Sequence, residues 1–99
     1  MKVQFLIDEM HRGNTEIICK GIESDNPLLC LNAIMAGARQ GVKEKRYLEA
    51  LKVAKGSKDR VLGFSVHNFS VAALHLLGAE CYEGDDEDIL ALIQFGFKV

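Results

Sequence analysis

Apolar side chains in this chain recur at intervals of three and four residues, in stretches that stop at or near a glycine, and the sequence contains a single proline. That spacing lines such residues along one stripe of an α-helix, whereas a half-buried strand needs strict alternation. The pattern predicts an all-α fold of five to six antiparallel helices.

The stripes and their boundaries can be followed along the chain. A first helix spans Lys2 to His11 with Val3, Leu6, Ile7 and Met10 on one side, and Arg12-Gly13-Asn14 breaks it. Asn14 can cap a short second helix, Thr15 to Ile22, which has Glu16 in its first turn and Ile17, Ile18 and Ile22 pointing inward. Asn26-Pro27 is a strong start signal, because the asparagine accepts an orphan amide and proline at the first helical position has no amide to lose. The third helix then runs to Gln40 and ends at Gly41, with so few charges that much of its circumference should be covered. A fourth spans Lys43 to Lys55 with Tyr47, Leu48, Leu51 and Ala54 inward. Ser57 reads as the cap of a fifth helix from Lys58 to Leu77, the longest and therefore the expected centre. Four carboxylates, Asp85, Asp86, Glu87 and Asp88, open the last helix, where negative charge meets the positive end of the dipole, and Ile89, Leu90, Leu92, Ile93 and Phe95 carry it into the core. VQFLI near the start and QFGFKV at the end also fit short strands, which leaves a mixed α/β fold open.

Ninety-nine residues at 48% hydrophobic suffice for one domain with a real core. A net charge of -2 argues against a dedicated nucleic-acid binder, since such domains are usually basic. No stretch approaches the roughly 18 apolar residues of a membrane span. Asp8 and Glu9 interrupt the first apolar run too early for a secretory signal. Cys19, Cys30 and Cys81 form an odd set without CxxC spacing among apolar neighbours, so they read as reduced, buried thiols and point to the cytoplasm.

No residue set has the spacing of a catalytic or cofactor site, and neither enzyme activity nor a cofactor is expected. His67 and His75 lie eight residues apart, about 12 Å along a helix, too far to share a metal ion. On a helical wheel both fall beside Phe64, Asn68 and Val71, opposite Leu62, Phe69 and Leu76. Such a mixed face suits a protein interface, and it equally suits a central helix covered on both sides. The acidic run Glu80, Glu83, Asp85, Asp86, Glu87 and Asp88 can attract a basic partner or can simply be a solvated helix start, and it lacks the pattern of a calcium loop. Residues 39–60 carry eight basic and three acidic side chains. Lys43, Lys45, Arg46, Lys52 and Lys55 would be the contacts of a nucleic-acid-binding domain, but without interleaved aromatics a wet helix face is the simpler reading. The two oppositely charged regions make the molecule a dipole, which permits head-to-tail homo-oligomers.

The segments SDNPLLCLNAIMAGARQG from Ser24 and SKDRVLGFSVHNFSVAALHLLG from Ser57 look like versions of one another. Each is followed by a polar turn and an amphipathic helix, EKRYLEALKVAKG and DEDILALIQFG. A helix pair of this length, opening with a polar turn and continuing L-x-x-x-A, resembles a HEAT-like repeat. The resemblance covers Ser24 to about Phe97 and implies a single domain of stacked helix hairpins, a short α-solenoid or irregular bundle, with pairs at 1–23, 24–56 and 57–99. A small helical array of this kind is also similar to bacterial immunity proteins. That likeness implies a non-catalytic binder of a basic toxin domain, possibly a nuclease, steered by Glu83, Asp85, Asp86, Glu87 and Asp88 and anchored by Phe64, His67, Asn68, Val71 and His75. A HEAT-like scaffold or adaptor is the alternative.

Overall fold

A computed structural model of the chain describes residues 2–97 and gives six helices with one small β-hairpin. The helices are α1 (Lys2–His11), α2 (Thr15–Ile22), α3 (Pro27–Gln40), α4 (Lys45–Ala54), α5 (Val66–Leu76) and α6 (Glu87–Phe95); strands β1 (Arg60–Val61) and β2 (Phe64–Ser65) lie between α4 and α5. The fold is all-α, as the periodicity predicts.

Local chemistry accounts for most boundaries. The Asn14 side chain accepts a hydrogen bond from the Ile17 amide at 3.2 Å and so starts α2. Asn26 accepts from the Leu28 and Leu29 amides at 2.9 and 3.4 Å, with Pro27 in the first turn of α3. Asp86 does the same for α6, accepting from the amides of Asp88 and Ile89.

The helices form two layers. The odd helices α1, α3 and α5 lie side by side in one, α2 packs on α4 in the other, and α3 packs against both α1 and α2. α6 packs on α5 at the edge of the array. Met10, Ile18, Ala33, Ile34, Ala36, Leu51 and Ala73 are fully excluded from water between the layers. α3 and α4 meet through Tyr47, whose ring crosses to α3 and lies against Gly37. Its hydroxyl donates to the Ala33 carbonyl at 2.9 Å and lies 3.1 Å from that of Ile34. Burial raises the phenol pKa far above its ordinary value, so the proton needed for that bond stays in place.

A second polar tie joins α1 to α3. Arg39 has only donors, so its guanidinium, 2.7 Å from His11 Nδ1, makes that nitrogen the acceptor. The other ring nitrogen, Nε2, then donates to Asn32 Oδ1 at 3.0 Å, and Asn32 Nδ2 donates to the Leu28 carbonyl. Arg46 clamps α4 to α2 by bonding both carboxylate oxygens of Glu23 and reaching Glu16 at 3.2 Å. Lys55 at the end of α4 holds Glu80 at 2.7 Å.

Several expectations are corrected. The fifth helix begins at Val66, not near Lys58, because residues 60–65 pair as a hairpin and Ser65, not Ser57, accepts from the Asn68 amide as the cap. Ser57 instead accepts from the Asp59 amide in a tight turn. The longest helix is therefore α3. VQFLI is helical. Gln94 and Phe95 end α6, Gly96 caps it in the left-handed conformation, and the last two residues of QFGFKV lie outside the described residues. Cys81 is exposed, whereas Cys19 and Cys30 are buried. Leu90 and Phe95 face water at 44% and 68% exposure because α6, on the edge of the array, buries only the side turned to α5.

Candidate protein-docking cleft

The hairpin sets up the most unusual surface of the molecule. Arg60 pairs with Ser65 and Val61 with Phe64, leaving Leu62 and Gly63 as a two-residue turn. Both turn residues have positive φ, 52° and 86°, the backbone of the tight turn whose twist matches antiparallel strands. Glycine accepts that conformation freely, but a leucine there costs about 1 kcal/mol or more. Nothing in the fold compensates Leu62, which is 90% exposed. Arg60 Nη1 donates to the Gly63 carbonyl at 2.8 Å and the Val66 amide donates to the Asp59 carbonyl, so the tip is held at both ends.

Phe64 anchors the hairpin to α5. Its ring lies 5.6 Å from that of buried Phe69, which in turn lies 5.1 Å from that of partly buried Phe97, so two tilted pairs share one core ring. Phe64 itself remains half exposed. Between hairpin, α5 and α6 lies a cleft of about 290 Å³ lined by Phe64, Asn68, Asp88, Leu92 and Phe95 among others. Leu62, Phe64, Phe95 and Leu90 are thus four large apolar groups exposed on the hairpin and α6. Of these, Phe64 and Phe95 both line the cleft, and neighbouring exposed apolar groups of this size are typical of binding sites.

The structure joins part of the two residue sets expected from sequence. Phe64 and Asn68 from the mixed face meet Asp88 from the acidic run in the cleft. Asp86 is committed to capping α6, and its own amide donates to Tyr82 Oη at 3.0 Å. Glu83 and Asp85 are exposed on the approach to α6, and Glu87 is exposed in its first turn. The histidines are placed elsewhere. His67 donates Nδ1–H to the Lys55 carbonyl at 2.6 Å, at the end of α4, and His75 Nδ1 accepts the Tyr82 amide at 3.0 Å. Val71 is half buried and does not line the cleft. Phe64 stands on β2, outside the helical wheel, whereas His67, Asn68, Val71 and His75 are all on α5 and of these only Asn68 lines the cleft.

Leu62, Leu90 and Phe95 were missed as surface residues, since at helical spacing an apolar residue reads as core. The signal for Leu62 was present: a two-residue X-Gly step between β-formers, Val61-Leu62-Gly63-Phe64. Among the basic residues of 39–60, Arg46 and Lys55 are neutralised by Glu23, Glu16 and Glu80. Among the described residues no three His, Cys, Asp or Glu side chains converge as a metal-ligand set, and no helix is long and apolar enough to cross a membrane.

No known protein family matches the chain, and it matches no curated protein and no solved structure.

Proposed function

We propose that this chain is a non-catalytic protein-binding module that docks through the cleft between the β-hairpin, α5 and α6. The observation that carries the reading is Leu62, a large apolar side chain held in an unfavourable backbone conformation and left 90% exposed at the tip of the hairpin that brings Phe64 into the cleft. Core packing gains nothing from it, whereas a partner that covers the tip gains a rigid apolar anchor at the centre of its contact.

Charge narrows the partner. Asp88 lines the cleft, and Glu83, Asp85 and Glu87, exposed within five residues of it in the chain, add negative charge at the start of α6, favouring a basic protein with fast, salt-sensitive association. The neutralised state of Arg46 and Lys55 weighs against a nucleic-acid partner. Within this reading the module is an immunity protein that covers a basic toxin domain, the role implied by the resemblance drawn from sequence. The two-layer stacking favours a second reading, a scaffold or adaptor of HEAT-like type working through the same cleft.

The test starts from the neighbouring genes: where one encodes a toxin domain, protection and binding are measured against it. Leu62→Ser, Phe64→Ser and Phe95→Ser should each weaken binding, while reversal of Asp85, Glu87 and Asp88 should slow association at low salt. Asp86 is left intact because it caps α6. Full protection by all of these variants would refute the cleft as the docking face. Loss of another partner's binding, without toxin protection by the parent chain, would favour the adaptor.

A further inference from the structure

On the other side of the hairpin lies a larger depression, about 840 Å³, between the α2–α3 turn, α4 and the loop that leads into β1. Asp59 and Val66 line it, whereas Arg60 and Ser65 line the smaller cleft, so the 59–66 segment is the wall between the two. Its apolar lining includes Ile22, Cys30, Ala54 and Val66, all buried in the fold. Val53 stands at its edge, 79% exposed on the otherwise charged side of α4.

The charges around this groove are one-sided. Its lining contains Glu23, Asp25, Glu49 and Asp59 against one cation, Arg46, whose guanidinium is already held by Glu23 and Glu16. Asp25, Glu49 and Asp59 make no ion pair among the described residues, and all three are exposed. They stand on three different elements and do not converge as a metal-binding set. An occupant complementary to this lining would present cations at separate points and apolar groups between them. A volume near the upper end of the range for small-ligand pockets, about 300 to 1,000 Å³, holds several residues of extended chain.

We propose that this groove docks a short partner segment in which lysine or arginine alternates with large apolar residues. The apolar groups cover Val53 and the floor, and the basic groups meet Asp25, Glu49 and Asp59. The site is separate from the cleft and does not depend on its assignment.

The probe is the peptide acetyl-LKLKL-amide, titrated into the isotope-labelled full chain at low salt and followed by amide shifts. Expected are shifts confined to residues 22–30, 46–59 and 66, with affinity reduced about tenfold in the Asp25→Asn, Glu49→Gln, Asp59→Asn triple variant, since exposed ion pairs each contribute modestly. Phe95→Ser, which alters the cleft on α6, away from the shared wall, should leave this titration unchanged. Unaltered affinity in the triple variant would overturn the proposal. So would equal binding of acetyl-LELEL-amide, the same shifts from spermine at equal affinity, or shifts centred on the cleft.

Discussion

Replacing Gly37 by alanine tests how rigidly α4 is fitted to α3. In the interior of a helix this change normally stabilises by about 1 kcal/mol, because glycine exposes backbone and loses more entropy on folding. At Gly37 the added methyl would overlap the oxygen and ring of Tyr47. That ring cannot swing aside, since the residue is 0% exposed and its hydroxyl is bonded to α3. Overpacking a filled core costs about 1 to 3 kcal/mol, and displacing the hydroxyl forfeits about 1 kcal/mol more. Set against the helix gain, the net expectation is a loss of about 1 to 3 kcal/mol, or about 4 to 24 °C in melting temperature for a domain of this size. Gly21→Ala is the internal control. Its methyl overlaps the terminal methyl of Met10, at the end of three rotatable bonds, and lies 3.2 Å from the Ala33 Cβ. The flexible thioether relieves part of the overlap and no hydrogen bond is lost, so the helix gain offsets more of the overpacking and the loss should be smaller than at Gly37. Urea unfolding of both variants, followed by circular dichroism, measures the difference. A Gly37→Ala protein as stable as Gly21→Ala, or more stable than the parent, would show that Tyr47 does not lock the two helices.

Other perturbations address separate parts of the molecule. Leu62→Asn relieves the turn and should raise stability by about 0.5 to 1 kcal/mol, since asparagine followed by glycine suits this backbone, while weakening partner binding; a lower melting temperature would contradict the strained-tip reading. Hydrogen bonds from Arg46 and Lys55 lower the pKa of Glu23 and Glu80 below the ordinary 4.5. Their contribution is therefore complete above pH 4.5 and fades as pH falls through the lowered values, so Glu23→Gln and Glu80→Gln should flatten the acid limb of the melting-temperature profile. Cys81 should be the single thiol that reacts rapidly with a disulfide reagent in the folded protein, with Cys19 and Cys30 released on unfolding, because burial removes both from solvent and raises their pKa. Three fast-reacting thiols in the native state would refute the packing of α2 and α3.

The boundaries legible in the sequence were those written in side-chain chemistry. Asn14, Asn26-Pro27 and Gly41 each act locally, on amides or carbonyls a few residues away, so their effect survives without knowledge of the fold. Residues 58–65 were illegible for the opposite reason. Ser57, Lys58 and Asp59 resemble a helix start, and Val61, Leu62 and Phe64 fit a helical stripe, while the turn lacks the asparagine that usually marks it. The candidate cleft was half visible: residue type singled out Phe64, Asn68 and Asp88, but only the hairpin brings them together. Periodicity could place Leu90 and Phe95 on a helix without revealing that α6 has a neighbour on one side only.

The two-layer order has a consequence for how the chain comes together and apart. Every helix rests on others one or two places away along the polypeptide, so packing can begin before any long loop has closed, a property associated with rapid folding. α3, midway along the chain, touches helices on both sides, whereas α1 and α6 have free flanks. Opening should accordingly progress from the outer rods inward, and amide protons should exchange last in α3.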